Sequence, residues 1–398
     1  MSLVLPQPLE KLRAPRAADH VFTNARVVLA DRVIERGWVA VADGKIVEYG
    51  EGRAPESGED IAGDLLMPGL IELHTDHLEA HYVPRPKVYW NPIAAVVSYD
   101  GQIASCGITT VFDSLRVWRE EQAAEDVNGD ASILAQAIGT ARDSGLLRAE
   151  HYLHLRCEVP MPNVVEEAAE LIGRPDVKLL SLMDHTPGQR QFRDEEKLRT
   201  YYRGKKGGMD GAAVDEMFAR RIEFQRLYAE ANYRDLVKLA DLHGVPLASH
   251  DDTTLEHVEQ AKRDAVAIAE FPTTMESAQA LHAARISVLM GAPNLVRGGS
   301  HAGNIATADL AAAGCLDILS SDYVPSSLLM AALALPDAVS GISLAAAVRT
   351  VTKTPAETVG LHDRGEIATG KRADVIRVHI AKGVPVARSV WLAGNRVA

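Results

Sequence analysis

The sequence predicts a (β/α)8 barrel, of the TIM type, carrying a small β-sandwich domain built from both chain ends. Three observations carry this. The chain has 398 residues, the length of a barrel plus a satellite domain. Its middle alternates eight short apolar runs with amphipathic segments, the pattern of repeated strand–helix units. Both of its ends alternate apolar and polar residues with period two, the pattern of half-buried strands.

In chain order, residues 1–19 form an N-terminal tail, with prolines and charges where a secretion signal needs an apolar run. Residues 20–66 show strand alternation with turns at Asp43-Gly44 and at Gly50, and 366–398 show it again, so these two segments make the small domain. Between them, 67–365 form the barrel. Its candidate strands are the runs LLMPGLIELH, ITTVFDS, YLHLRCE, VKLLSLM, VPLASH, AVAIAE, ISVLMGA and LDILSSD. Segments such as TTLEHVEQAKRD, MESAQALHAARI and HAGNIATADLAAAG are candidate helices. A doubly wound sheet is the alternative, but no Gly-rich phosphate fingerprint follows the first strand. A basic insertion occupies about 187–243. From Pro187 to Lys206 it has seven basic residues, Arg190 and Arg193 among them, against three acidic ones. That composition suits either a solvated helix or a lid that clamps an anion.

Composition narrows the function. Hydrophobic residues make up 47% and charged residues 24%, ordinary globular values. A formal net charge of −12 argues against nucleic-acid and membrane partners, though a local basic cluster can still receive an anionic substrate. Three scattered cysteines, Cys106, Cys157 and Cys315, argue against a disulfide framework and fit a reducing compartment. No run is long and charge-free enough to cross a bilayer. The expected location is cytoplasmic.

Catalytic groups of such barrels lie at the C-terminal ends of the strands. Strand one ends in HTDHLEAH. Three histidines and three acids lie within ten residues there, which packing does not explain, and imidazole with carboxylate suits a divalent transition metal. His74 and Asp76 are the expected ligands; His77 and His81 fit substrate contact or the surface equally well. Glu158 closes strand three and is placed to bridge metals, whereas His154, inside that strand, reads as a hydrogen-bonded core residue. Asp184 and His185 close strand four and either ligate or orient a ligand. His250 closes strand five as a ligand, while Asp251 and Asp252 suit capping of the next helix. Glu270 closes strand six with its role left open. Asp322 closes strand eight, where a carboxylate can hold metal and shuttle a proton. Asp322 and His250 are the catalytic candidates. Arg297, Gly298, Gly299, Ser300 and His301 directly precede a candidate helix, an arrangement that binds anions. Arg85 and Lys87 in PRPK add further phosphate contacts.

These residues carry a family resemblance. PGLIELHTD resembles the strand-one motif of the amidohydrolase superfamily, and RGEIATGKRADVIRV its C-terminal return to the small domain. Over nearly the whole chain, ELHTDHLEAHYVPRP, SLMDHTPGQRQF, SHDDTT, EFPTT, MGAPNLVRGGSHAGN and LSSDYVPSSLL resemble the alpha-D-ribose 1-methylphosphonate 5-triphosphate diphosphatase family of the carbon–phosphorus lyase pathway. The resemblance implies metal-dependent hydrolysis of that triphosphate to the 5-phosphate and pyrophosphate in phosphonate catabolism. It makes Arg85, Lys87, Arg190, Arg193 and Arg297 clamps for phosphate or phosphonate, since the planar guanidinium fork binds phosphate oxygens two at a time. It implies one or two divalent metal ions (Zn, Mn, Fe or Mg) held by His74, Asp76, Glu158, His250 and Asp322. Barrels of this superfamily often self-associate, so a homo-oligomer is left open. Two departures from the wider superfamily bear on metal count: position 76 is Asp where His is usual, and the strand-four lysine, Lys178, is at the wrong end of its strand to carry a bridging carbamate. The rival functions are C–N hydrolysis of a cyclic amide or amine, which would need a neutral pocket, and a non-catalytic scaffold role in the same pathway.

Overall fold

The computed structural model describes residues 18–118, 131–190, 198, 211–300 and 303–398. Arg193, His301, most of the basic stretch of the insertion and nearly all of the N-terminal tail lie outside the described residues.

The chain opens with β1 (His20–Val28), β2 (Val33–Ala42), β3 (Lys45–Glu51), β4 (Glu59–Asp60) and β5 (Leu65–Pro68). Asp43 and Gly44 join β2 to β3 with φ of 51° and 72°, the two left-handed residues that a tight hairpin turn requires. The turn expected at Gly50 is not there. Gly50 lies within β3, paired with Trp38 of β2, and a Cβ on it would meet the Trp38 indole at 2.9 Å. The glycine makes room for a cross-strand ring instead of bending the chain.

Eight barrel strands follow: β6 (Leu70–Thr75), β7 (Ile108–Arg116), β8 (Glu150–Glu158), β9 (Val177–Met183), β10 (Leu247–His250), β11 (Ile268–Glu270), β12 (Ser287–Gly291) and β13 (Ile318–Ser320). Each pairs in parallel with the next. A single bridge between Thr75 and Asp322 joins the last strand region to the first, and Thr75 Oγ1 donates to the Asp322 carbonyl at 2.7 Å. Every apolar run predicted as a barrel strand overlaps one. Inside, Ile71, Leu73, Phe112, Leu179, Ala248, Ile268, Leu289 and Ile318 form an apolar floor. On the outside, the intervening strand residues (Leu153 and Leu155, Leu180 and Leu182) face the helices, as a pleat of period two dictates.

The helices start where the sequence supplies caps. Asn91 accepts from the Ala94 amide at the head of Pro92–Ser105, with Pro92 in the first turn. Thr254 and Thr274 cap Leu255–Arg263 and Met275–Ala283. The capping role expected of Asp251 and Asp252 therefore belongs to Thr254, which frees the Asp251 carboxylate for the barrel mouth, while Asp252 accepts from Arg190 and Ser249. The helix Gly211–His243 runs about 50 Å. Asn232 pins it to the loop after β8 by donating to the Val159 and Met161 carbonyls at 2.9 and 2.8 Å. Among the described residues no helix is long and apolar enough to cross a membrane.

The chain then returns through β14 (Val375–Ala381), β15 (Val384–Leu392) and β16 (Asn395–Arg396), completing a sheet of order β16-β15-β14-β5-β1-β2-β3 with β4 on β1. Strands from both ends share one apolar cluster, including Phe22, Val39, Ile46, Val375 and Trp391. Gly69 joins the two units. Its amide donates to the Asp374 carbonyl at 2.9 Å, and a Cβ there would lie 2.2 Å from Thr109 Oγ1.

Candidate active site

Above the apolar floor sits a buried polar layer. His74 Nδ1 lies 2.9 Å from Glu270 Oε1, and Ser181 Oγ donates to Glu270 Oε2 at 2.7 Å. His154 packs edge-on against His74 and directs Nδ1 to the Leu73 carbonyl at 2.9 Å. Burial, reinforced by the nearby His74 and Arg156, outweighs Glu270 and pushes His154 down to about 3. It is a neutral core residue, as its place inside the strand suggests. Glu72 accepts from the His74 and Ser321 amides at 2.7 and 2.6 Å, with Ser320 Oγ 2.7 Å away. This layer fixes the His74 ring. With Nδ1–H given to Glu270, the lone pair stays on Nε2, the tautomer a metal ligand needs.

The mouth above is charged. Three strand-end residues adopt left-handed backbone conformations that are uncommon outside glycine: Asp251 (φ 54°), Phe271 (φ 55°) and Asp322 (φ 53°). The Phe271 ring packs against His74 and His250, closing one wall. His250 and Asp251 are buried, with Nδ1 and Oδ2 3.0 Å apart but outside hydrogen-bonding geometry, so both atoms are buried without a partner. His185 Nε2 reaches the same Asp251 oxygen at 3.8 Å. Ligand atoms of His185, His250 and Asp251 all lie within 4.8 Å of one another. Converging imidazole nitrogens and a carboxylate oxygen, two of them orphaned in a buried site, fit a divalent transition metal. His74, His154 and Glu270 are equally close together, but Glu270 and His154 are engaged in the hydrogen-bonded layer, so the mouth group fits better.

Glu158 is tied to His185 twice, by its amide and by Nδ1, both at 2.6 Å. Burial opposes its ionisation, but the His185 charge and hydrogen bonds prevail and hold it down at about 2. Glu158 therefore orients His185 in this arrangement. Asp184 Oδ1 accepts the Thr186 amide at 3.0 Å, and burial together with Glu158 raises its carboxyl. Asp322 behaves oppositely to Glu158. Burial, then the neighbouring Asp76, push it up to about 8 against the pull of Arg156.

Arg156 is the residue the sequence analysis passed over. It lies on β8 two positions before Glu158, on the same inward face, and is buried beside Asp76, Glu79 and Asp322. Its Nη1 donates to Asp76 Oδ2 at 3.0 Å, while its Nε has no partner. Arg116, from the end of β7, lies 4.0 Å from the same Asp76 oxygen and 3.3 Å from Glu79. The period-two spacing His154–Arg156–Glu158 was the available signal.

The remaining predicted groups spread outward. Arg190 turns in, donating from Nη1 to the His250 carbonyl at 2.6 Å and to Asp252 at 2.8 Å, so it braces the β10 end. Arg85 and Lys87 are exposed on the loop after the short helix His77–Tyr82. The expected helix start at 297–301 is corrected. Arg297 ends the helix Ala292–Arg297, Gly298 caps it at φ 80°, and the next helix begins only at Thr307. Positive-φ glycine terminates a helix here, so no row of helical amides faces an anion at Arg297 and Ser300.

The family model described as "Amidohydrolase family" matches residues 65–397. The chain is 42% identical over 380 residues to the alpha-D-ribose 1-methylphosphonate 5-triphosphate diphosphatase of Escherichia coli (strain K12), covering 95% of this chain and 100% of that protein. It is 24% identical to an imidazolonepropionase of Deinococcus deserti, over 90% of this chain and 91% of the relative. Among solved structures, the 5-methylcytosine deaminase from Klebsiella pneumoniae liganded with phosphonocytosine superposes with a TM-score of 0.64 at 15% identity, covering 95% of this chain and 98% of that one. N-acetyl-D-glucosamine-6-phosphate deacetylase from Mycobacterium smegmatis gives 0.59 at 16%, with 95% and 100% covered. These two likenesses carry the fold. The model match over most of the chain, and a 42% identical relative covered from end to end, show that the chain belongs to the amidohydrolase family of enzymes.

Proposed function

We propose that the chain hydrolyses alpha-D-ribose 1-methylphosphonate 5-triphosphate to the 5-phosphate and pyrophosphate. The observation that carries this is the 42% identity over the whole length of a relative named for that diphosphatase. The mouth supports it chemically. Arg156 is a buried cation with an open Nε beside the candidate general base, where a neutral cyclic amide would leave it unmatched and a polyphosphate would not.

His74, His185, His250 and Asp251 would hold a divalent metal ion, with Asp76 and Asp322 at its edge and Glu158 and Glu270 orienting the imidazoles. Bound there, such an ion supplies Lewis-acid polarisation of a phosphoryl oxygen and a more acidic water. The side chains do the rest. Asp322 takes the proton from the attacking water at its carboxylate. The water oxygen bonds to phosphorus of the anhydride, and the P–O bond to the departing pyrophosphate breaks with its electron pair on that oxygen. Arg156 and Arg116 meet the charge that builds on phosphoryl and leaving-group oxygens. Arg85, Lys87, Arg297 and Ser300 would meet the outer part of the anion from the surrounding loops.

The test offers metal-replete protein the ribose methylphosphonate triphosphate, ATP and a panel of cyclic amides and amines, following pyrophosphate release and C–N cleavage. Pyrophosphate from the first substrate, lost in Asp322→Asn and His250→Ala, is the expected result. Amide cleavage without pyrophosphate would overturn it in favour of C–N chemistry, and no turnover of anything would favour a scaffold.

A further inference from the structure

A barrel closes when its last strand pairs with its first, and the amides on those two edges need acceptors. Here β13 and β6 form no ladder; a single backbone bridge, Thr75–Asp322, joins them. In the lower half of the seam, segment 350–351 takes the place of the missing partner. Ile71 donates its amide to the Val351 carbonyl at 2.9 Å, and Leu319 donates to the Thr350 carbonyl at 3.0 Å. In the upper half a side chain takes over. Glu72 Oε2 accepts the Ser321 amide at 2.6 Å from the β13 bank, and Oε1 accepts the His74 amide at 2.7 Å from the β6 bank. Ser320 Oγ lies 2.7 Å from Glu72 Oε1 and 2.6 Å from the His74 carbonyl, and it accepts the Asp322 amide at 3.2 Å. Glu72, Ser320 and Ser321 are fully buried, so bulk water cannot stand in for any of them.

The seam matters because of what stands on its banks. His74, a candidate metal ligand, follows Glu72 by two residues, and Asp322, the candidate general base, directly follows Ser321. The left-handed backbone of Asp322 (φ 53°) is a conformation that its surroundings have to hold. Two seam hydroxyls hold it, Ser320 Oγ at its amide and Thr75 Oγ1 at its carbonyl. The geometry also dictates the residue type at 72. Two backbone N–H groups, one from each bank, meet the two ends of one side chain, and only a carboxyl group offers an acceptor at both. Glutamine has the same size but sets an NH2 against one of the two amides, whichever way it is turned.

We infer that Glu72 is a positioning residue: its carboxylate clasps strand one to strand eight and so sets Asp322 against His74. The arginines that meet the phosphates stand elsewhere, Arg116 on β7 and Arg156 on β8. Opening the clasp therefore misplaces the base without removing the groups that bind substrate. The consequence for turnover rests on the diphosphatase reading; the clasp itself does not.

The experiment uses the full chain loaded with metal and has two arms. In hydrogen exchange read by mass spectrometry, Glu72→Gln should exchange at least about tenfold faster than wild type over residues 73–75 and 320–323, with the rest of the barrel unchanged. In pyrophosphate release from the ribose methylphosphonate triphosphate, its kcat should fall at least about 30-fold while KM stays within about twofold. Leu180→Ala, on the outer face of β9, is the control that loosens the barrel away from the seam; its kcat should stay within about twofold of wild type. Wild-type exchange at the seam in Glu72→Gln, or an unchanged kcat, would overturn the proposal. So would faster exchange spread evenly over the barrel with kinetics like those of Leu180→Ala, the behaviour of a carboxylate that only adds stability. If wild type releases no pyrophosphate, the diphosphatase reading falls and the exchange arm alone decides the clasp. Should Glu72→Gln not fold, Ser320→Ala makes the same comparisons, with an expected change of at least about threefold in local exchange and in kcat.

Discussion

The buried histidine at the base of β8 offers a sharp test of the electrostatic reasoning. His151 is fully buried, with Nδ1 2.8 Å from Asp113 on β7 and Nε2 3.3 Å from Asp100 on the helix Pro92–Ser105. Burial alone would strip its second proton. The two carboxylates, Asp113 foremost, reverse this and raise it from 6.5 to about 9. A group whose folded value lies above its unfolded value stabilises the fold fully below the unfolded value and loses that contribution as pH rises through the folded one. The window here is therefore from about 6.5 to about 9, a separation on the order of 3 kcal/mol. His151→Gln keeps a side chain able to reach both carboxylates but cannot titrate. Urea denaturation of both proteins at pH 6 and pH 9.5 should show the variant about 3 kcal/mol less stable at the lower pH, with most of that gap closed at the higher. A gap of the same size at both values would refute the assignment of a doubly protonated His151 between two carboxylates.

Other expectations follow from the same contacts. Asp322→Asn should abolish turnover yet raise the melting temperature of the metal-free protein at pH 9. Its carboxyl is pushed up to about 8, so folding disfavours the charged form that the amide removes; a lower melting temperature would contradict this. Arg156→Met should lower kcat/KM at least about 100-fold in a pyrophosphate-release assay, and Arg156→Lys should recover only part of it, because an ammonium lacks the guanidinium fork. Full recovery by lysine would mean that charge alone matters there. Gly69→Ala, whose Cβ would sit 2.2 Å from Thr109 Oγ1, should destabilise by about 1–3 kcal/mol in thermal or urea melts.

Strand positions were legible in the chain because each barrel strand is a short apolar run bounded by turn signals, and the eight runs are regular enough to count. The strand-end acids and imidazoles were legible for the same reason: a polar residue closing an apolar run has no packing explanation. What the sequence could not show is which polar groups answer each other across the barrel. Asp251 looked like a helix cap, but Thr254 caps more favourably in extended conformation, and Asp251 in a left-handed conformation faces His250 instead. The Arg297 loop looked like a helix entrance because a glycine pair precedes a helical pattern. Only the preceding helix, ending at Arg297, shows the glycine to be a terminator. Arg156 was hidden because an arginine inside an apolar strand reads as an interruption until its inward neighbours His154 and Glu158 are seen in register.

The vertical order of the barrel interior explains why neighbouring groups of the same type carry opposite charge tendencies. At the floor only apolar side chains meet. One layer up, His154 has serine hydroxyls and a backbone carbonyl for direct partners, so burial dominates and it stays neutral. At the rim, Glu158 faces His185 and ionises readily, while Asp322, beside Asp76 and with Glu72 and Asp251 nearby, does not. Arg156 is the cation that crosses this boundary, drawn toward Asp76, Glu79 and Asp322 at once. An incoming polyphosphate would compete with those carboxylates for it. Breaking the Arg156–Asp76 pair would then free Asp76 toward the metal ligands as the guanidinium turns to the substrate. Substrate and metal binding should consequently reinforce one another in wild type, and Arg156→Met should remove that coupling while leaving the ligands themselves in place. Metal affinity measured with and without a non-hydrolysable triphosphate analogue tests this, and equal enhancement in both proteins would sink it.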